Sequence, residues 1–163
     1  MALFFRKFFG VGKLPADLRA QVDTENLIHL AEFVPVTFRF TGSVPGKVSQ
    51  GNIRSYVGAL AITSQRVVGT ISTVPRLAGR AIDVRWDAAG EGAVHAAFSA
   101  EGLELETDIS QIDPAFSGRL TLTYKTAIPE PVLSTIPRRK LSFDVSPEWV
   151  LRALGVPVAK SPL

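Results

Sequence analysis

Apolar residues recur along the chain with two periods, and the change from one to the other marks its first boundary. Leu14, Leu18 and Val22 fall four residues apart, the spacing of one stripe on a helix. Pro15 stands at the head of that stripe, where a first helical position tolerates its missing amide. The spacing predicts a short helix behind Gly10 and Gly12, which break the pattern before it. From Leu27 the period drops to two. In "VPVTFRFTG", Val34, Val36, Phe38 and Phe40 fall on one side and Thr37 and Arg39 on the other, the alternation of a half-buried strand.

The Gly-, Pro- and Ser-rich stretch "GSVPGKVSQGN" predicts a loop. The β-rich runs "IRSYVGALAITS", "QRVVGTIST", "GRAIDVRWDA", "GAVHAAFSA", "GLELETDIS" and "SGRLTLTYKTA" follow it. Most are separated by turn chemistry such as Ala88-Ala89-Gly90, Glu101-Gly102 and Asp113-Pro114. "AIPEPVLSTIP" reads as a Pro-bounded connection and "RKLSFDV" as a last strand. Short strands at this spacing predict an antiparallel sandwich or small barrel; there is no βαβ rhythm and no internal repeat. At the end of the chain Ser146 suits a helix N-cap, Pro147 the first helical position and Glu148 the positive helix end. Gly155 suits the C′ position and Pro157 stops continuation. Val150, Leu151 and Leu154 give this helix an apolar face that plugs an open barrel end. The expected fold is α+β, mostly antiparallel, with about seven to eight strands in a barrel or sandwich. By segment, residues 1–26 form an N-terminal hydrophobic and helical arm, 27–155 the barrel with its terminal helix, and 156–163 a tail.

Composition narrows the function classes. A chain of 163 residues, 46% hydrophobic and 20% charged, is one domain with a core, or one domain with arms, and is not disordered. The net charge of +3 is spread thinly except at Arg138, Arg139 and Lys140. A nucleic-acid binder of this size carries a denser basic stripe, so nucleic acid is not an expected partner. The absence of cysteine excludes disulfides, thiol catalysis and zinc ribbons, and suits a reducing cytoplasm. No run approaches the roughly 18 apolar residues of a spanning helix. Arg6 and Lys7 split the apolar stretch that would otherwise resemble a secretory signal. A cytoplasmic protein, soluble or peripheral at the inner membrane face, is expected.

The stretch "GALAITSQRVVGTIS" resembles a motif of bacterial pleckstrin-homology-like and GRAM-like domains, G-x-L-x-[hydrophobic]-T-x-x-R-[hydrophobic]-[hydrophobic]. Gly58, Leu60, Ile62, Thr63, Arg66, Val67 and Val68 fit it. Residues 115–125, "AFSGRLTLTYK", resemble a later strand of uncharacterised bacterial relatives. The likeness spans residues 27–155 in the order of elements, and those two stretches by residue type. It implies a PH-like barrel and a binding role toward lipids, peptides or proteins, among which fold alone does not choose. The same residues also read as two strands joined at Thr63 and Ser64, with Arg66 facing solvent or a carboxylate. Relatives that bind phosphoinositides carry K-x(n)-[KR]-x-R on the first hairpin. Here Lys47 and Arg54 fit, but Tyr56 takes the last place, and phosphate recognition needs several converging cations.

No chemistry-bearing motif completes itself. "GVGK" lacks the first glycine of a phosphate loop, and Leu14 follows Lys13 where a Ser or Thr is needed. Neither G-x-G-x-x-G nor G-x-S-x-G occurs. His29 and His95 have no second ligand at metal spacing; His95 reads as an exposed or hydrogen-bonded strand residue. Glu104, Glu106 and Asp108 alternate with Leu103, Leu105 and Ile109, three solvated carboxylates opposite a buried stripe rather than a calcium loop. Trp86 and Trp149 read as core anchors. No catalytic, cofactor-binding or metal-ligating residue is assigned, and neither an enzyme nor a cofactor is expected.

The opening "MALFFRKFFGVGK" places Phe4, Phe5, Phe8 and Phe9 on one side of a helix and Arg6 and Lys7 on the other. Alone it is too short to persist; it needs its own barrel, a second subunit or an anionic membrane to fold on, the barrel being the first expectation. The sequence thus points to a non-enzymatic binding or scaffold module for a protein partner, an anionic membrane surface or a homo-oligomer. Its candidate contacts are Phe4, Phe5, Arg6, Lys7, Phe8, Phe9, Lys47 and Arg54. The alternative is a small-ligand or lipid carrier using the barrel interior. An internal cavity favours the carrier, and a filled barrel with an exposed groove favours the adaptor.

Overall fold

The computed structural model describes residues 12–72, 79–88, 90–154 and 156. Helix α1 (Ala16–Asp23) leads into β1 (Leu27–Val44), β2 (Lys47–Thr63), β3 (Arg66–Ser72) and β4 (Gly79–Arg85). Strands β5 (Val94–Ser99), β6 (Gly102–Asp108) and β7 (Ser117–Lys125) follow, then helix α2 (Glu130–Thr135), β8 (Lys140–Phe143) and helix α3 (Pro147–Ala153). The eight strands form one barrel-like, nearly closed sheet in the order β4-β3-β2-β1-β7-β6-β5-β8, and every neighbouring pair is antiparallel. This is the α+β, mostly antiparallel barrel that the alternating pattern predicts.

The alternation sorts side chains between the two faces. Val34, Val36, Phe38 and Phe40 of β1 are buried, as are Leu103 and Leu105 of β6, while Arg39, Glu104, Glu106 and Asp108 are exposed. The inward residues fill the barrel, with Leu60, Ile62, Leu122 and Tyr124 wholly enclosed. From β7, the Tyr124 hydroxyl crosses the interior and donates to the Thr70 carbonyl on β3 at 3.0 Å. Burial pushes its phenol pKa well up, so the group stays a neutral donor.

A second, smaller core lies on the outer face. Leu18 and Val22 of α1, with Leu14 just ahead of it, are buried against Ala59, Ala61 and Val68. The two alanines let the helix approach the sheet closely. Full burial of such side chains is worth roughly 1.5–3 kcal/mol each, enough to hold a helix of eight residues that would not persist alone. Its entry is stitched to β1 at a bulge where the register slips between Ala31 and Val34. There the Phe33 amide donates to the Gly12 carbonyl at 2.8 Å, and the Leu14 amide donates to Glu32 Oε2 at 2.8 Å. Gly12 has φ 94°, and a Cβ on it would lie 2.5 Å from Val57 Cγ1. Glycine is what this junction admits.

Two expectations need correction. Residues 42–52 are not a loop: β1 and β2 stay paired out to Val44 and Lys47, with Pro45 and Gly46 between them. Gly46 at φ 94° after a proline fits a type II turn. The other glycines mark irregular pairing, including a register shift between Phe40 and Gly42. The second correction is α2, which lies within the stretch expected to be a plain connection. Pro129 precedes it, Pro131 occupies its first turn and Leu133 is buried beneath it. Two prolines that signal a loop by composition are also tolerated at a helix start.

At the other end, the Ser146 side chain accepts from the Trp149 amide at 3.2 Å, the expected N-cap. Val150 and Leu154 are buried in the main core, and Leu151 is half-buried beside them. The expected C′ glycine, Gly155, lies outside the described residues, as do Pro157 and the segment from Phe4 to Phe9.

Candidate functional site

A sheet of eight strands in this order has two edges, β4 and β8, and among the described residues nothing joins them. Antiparallel alternation across eight strands makes β4 and β8 antiparallel to each other as well, so nothing in strand direction forbids their pairing. What separates them is a cleft of about 610 Å³, within the size range of ligand and peptide sites. Ile82–Arg85 form its β4 wall, Phe143–Val145 its β8 wall, and Trp149 of α3 with Ala88 and Glu91 its ends.

Inward positions make the cleft apolar. Ile82, Val84 and Phe143 are buried at its base, and Val145 and Trp149 are half-buried along it. Trp149 therefore does not have the enclosed role of Trp86, which is 6% exposed and donates its indole N–H to the Thr63 carbonyl at 2.9 Å. Four charges stand at the rim. Asp83 is held by Arg66 at 2.9 Å and Arg85 by Asp87 at 3.2 Å. Asp144 Oδ1 accepts from the Ala93 amide at 3.1 Å, and neither Asp144 nor Glu91 has an ion-pair partner among the described residues. The open rim is acidic.

The candidate contacts on the hairpin lie elsewhere. Lys47 donates to the Leu154 carbonyl at 2.9 Å, closing the end of α3. Burial first, then the neighbouring Arg54, hold its ammonium pKa below the ordinary lysine value. Arg54 is half-buried opposite Phe38, and Val48 and Ile53 are exposed at 77% and 54%. Lys47 is thus engaged in the fold. The apolar feature of the hairpin is carried by Val48 and Ile53, which the sequence pattern did not single out because they fall in the supposed loop and at its border.

The other motif residues serve the fold. Gly58, Leu60, Ile62, Thr63, Val67 and Val68 are buried on β2 and β3. Arg66 meets carboxylates, Glu25 at 2.9 Å and Asp83 at 2.9 Å. His95 is exposed and 2.9 Å from the Ser142 hydroxyl. Glu106 pairs with Arg119, and the Ser110 side chain, then its amide, lower the Asp108 pKa. Among the described residues no three His, Asp or Glu side chains converge as metal ligands, and no helix is long and apolar enough to cross a membrane. No protein-family model, no curated protein and no solved structure matches the chain.

Proposed function

We propose that this chain is a non-enzymatic binding module that presents the cleft between β4 and β8 to a partner protein in the cytoplasm. The observation that carries this reading is the cleft itself: an indole and five aliphatic or aromatic side chains line a gap between two strand edges. Trp is among the residues that dominate binding energy once a partner buries them. The filled barrel favours this reading over a carrier, since Leu60, Ile62, Leu122 and Tyr124 occupy the interior that a carried ligand would need. The likeness of residues 58–68 to PH-like and GRAM-like domains points the same way, toward binding rather than catalysis.

The test is partner retention by the intact chain in native extracts, compared with two variants. Trp149→Ala is expected to reduce retention more than tenfold, and Val48→Ser on the hairpin to leave it unchanged. Retention that survives Trp149→Ala overturns the assignment. Loss with Val48→Ser, together with sedimentation on anionic vesicles, moves the site to the hairpin and the function to a membrane surface.

A further inference from the structure

Among the described residues no strand pairs with the outer edges of β4 and β8, and two such edges facing one another are a template for a further strand. Which main-chain groups are on offer follows from the ladder. The Phe98 amide donates to the Arg139 carbonyl at 2.8 Å, and the register runs on through Ala96 with Leu141 and Val94 with Phe143. In an antiparallel ladder these alternate residues bond inward. The main-chain groups of Lys140, Ser142 and Asp144 therefore turn away from β5, toward the gap. On the opposite wall the Trp86 amide donates to the Gln65 carbonyl at 3.0 Å, and the same alternation turns the main chains of Arg85 and Asp83 toward the gap.

Parity then fixes direction. Because β4 and β8 already run antiparallel, a ninth strand between them is antiparallel to one and parallel to the other. Antiparallel pairing is slightly the more stable per residue, and β8 with its continuation carries the rim carboxylate Asp144 and leads into Trp149, both of which line the cleft. The side chains of the incoming strand sort by face. One set meets Val84, Phe143 and Trp149; the other passes the rim, where Asp144 and Glu91 have carboxylates without ion-pair partners among the described residues.

We propose that the occupant is an extended segment of a partner protein with alternating apolar and basic residues, added antiparallel to β8. This rests on the reading of the cleft as the binding site and specifies its ligand chemistry. Backbone bonds supply register, the apolar residues fill the cleft, and the lysines or arginines neutralise its rim.

The experiment uses the full chain and the probe acetyl-Val-Lys-Val-Lys-Val-amide, read by tryptophan fluorescence and by amide exchange. Expected are saturable binding at least tenfold tighter than for acetyl-Val-Glu-Val-Glu-Val-amide, and slowed exchange of the Ser142 and Asp144 amides. N-methylation of alternate probe amides should abolish binding. Glu91→Gln with Asp144→Asn should bring the two probes within threefold of each other at an unchanged melting temperature. Equal binding of both probes, or binding that survives N-methylation, overturns strand addition. Ser142 and Asp144 amides already protected in the free chain would show the edge covered by its own segment or a second copy, and overturn the assignment to a partner. If no probe binds while Trp149→Ala still abolishes native partner retention, strand addition fails and the binding-module reading stands. Retention despite Trp149→Ala would locate the failure in that underlying reading.

Discussion

The two long sides of β4 treat polar groups in opposite ways. On the β3 side, Arg66 is clamped: its guanidinium reaches Glu25, both oxygens of Asp83, and Gln21 Oε1 at 3.2 Å. The Thr63 hydroxyl donates to Glu25 and accepts from the amides of Gln65 and Arg66. Arg66 and Glu25 are only 12% and 15% exposed. This network ties the end of α1, the turn before β1, and strands β2, β3 and β4 together, and its charges are partnered. On the side facing β8, apolar walls stand open, and among the described residues the strand edges have no neighbouring strand and two carboxylates have no ion pair. Polar groups that complete one another locally support a structural role. A surface that leaves apolar and hydrogen-bonding capacity unused supports a binding role.

The contrast is tested hardest by Arg66→Ala. Removing one member of a largely buried ion pair strands the others, and a loss of about 3 kcal/mol is expected in urea unfolding. Arg66→Lys should recover only part, because an ammonium cannot fork between Glu25 and Asp83. A midpoint near that of the parent chain would class the clamp with ordinary surface pairs.

His29 is the exception on the well-partnered side. Its Nε2 is buried with no hydrogen-bond partner among the described residues, and burial lowers its pKa from the ordinary value of 6.5. The unfolded chain therefore takes up a proton near pH 6.5 that the folded chain resists. The associated stability is fully present above that pH and is lost as pH falls toward the depressed folded value. Melting temperatures measured downward from pH 7.5 should fall more steeply for the parent than for His29→Leu. Parallel curves would mean that the imidazole is not the group responsible.

The smallest stability effect is expected at the seam. Glu91→Gln removes an exposed charge with no ion pair among the described residues, so unfolding free energy should change by less than about 0.5 kcal/mol. A larger loss would make this rim carboxylate part of the scaffold and erase the distinction between the two sides.

Much of the barrel was legible because several of its strands alternate, as β5 and β6 do with Val94, Ala96, Phe98 and Leu103, Leu105; the second half of β2, buried on both faces, does not. The α1 stripe and the Ser146 cap were legible for the same local reason. The hairpin end at residues 42–52 was not, since Pro45, Gly46 and Gly51 give turn composition to a bulged ladder. Arg66 was readable only as a choice between solvent and a carboxylate, because Glu25 and Asp83 reach it through tertiary structure. The cleft was illegible. It exists where β4 meets β8, and no local period records which edges a sheet brings together. Trp149, read as a core anchor, packs against the main core and also lines that meeting.

The strand order also has a kinetic consequence. β1 through β4 form successive hairpins, as do β5, β6 and β7, so most of the ladder can assemble from neighbours in the chain. The pairing of β1 with β7, which brings Val36 to Tyr124, has to close a far longer loop before its contacts repay the lost entropy. Leaving the seam unpaired spares the chain a second such search. The expected bottleneck in folding is therefore the docking of two hairpin arrays along β1, with Tyr124 entering the interior as they meet.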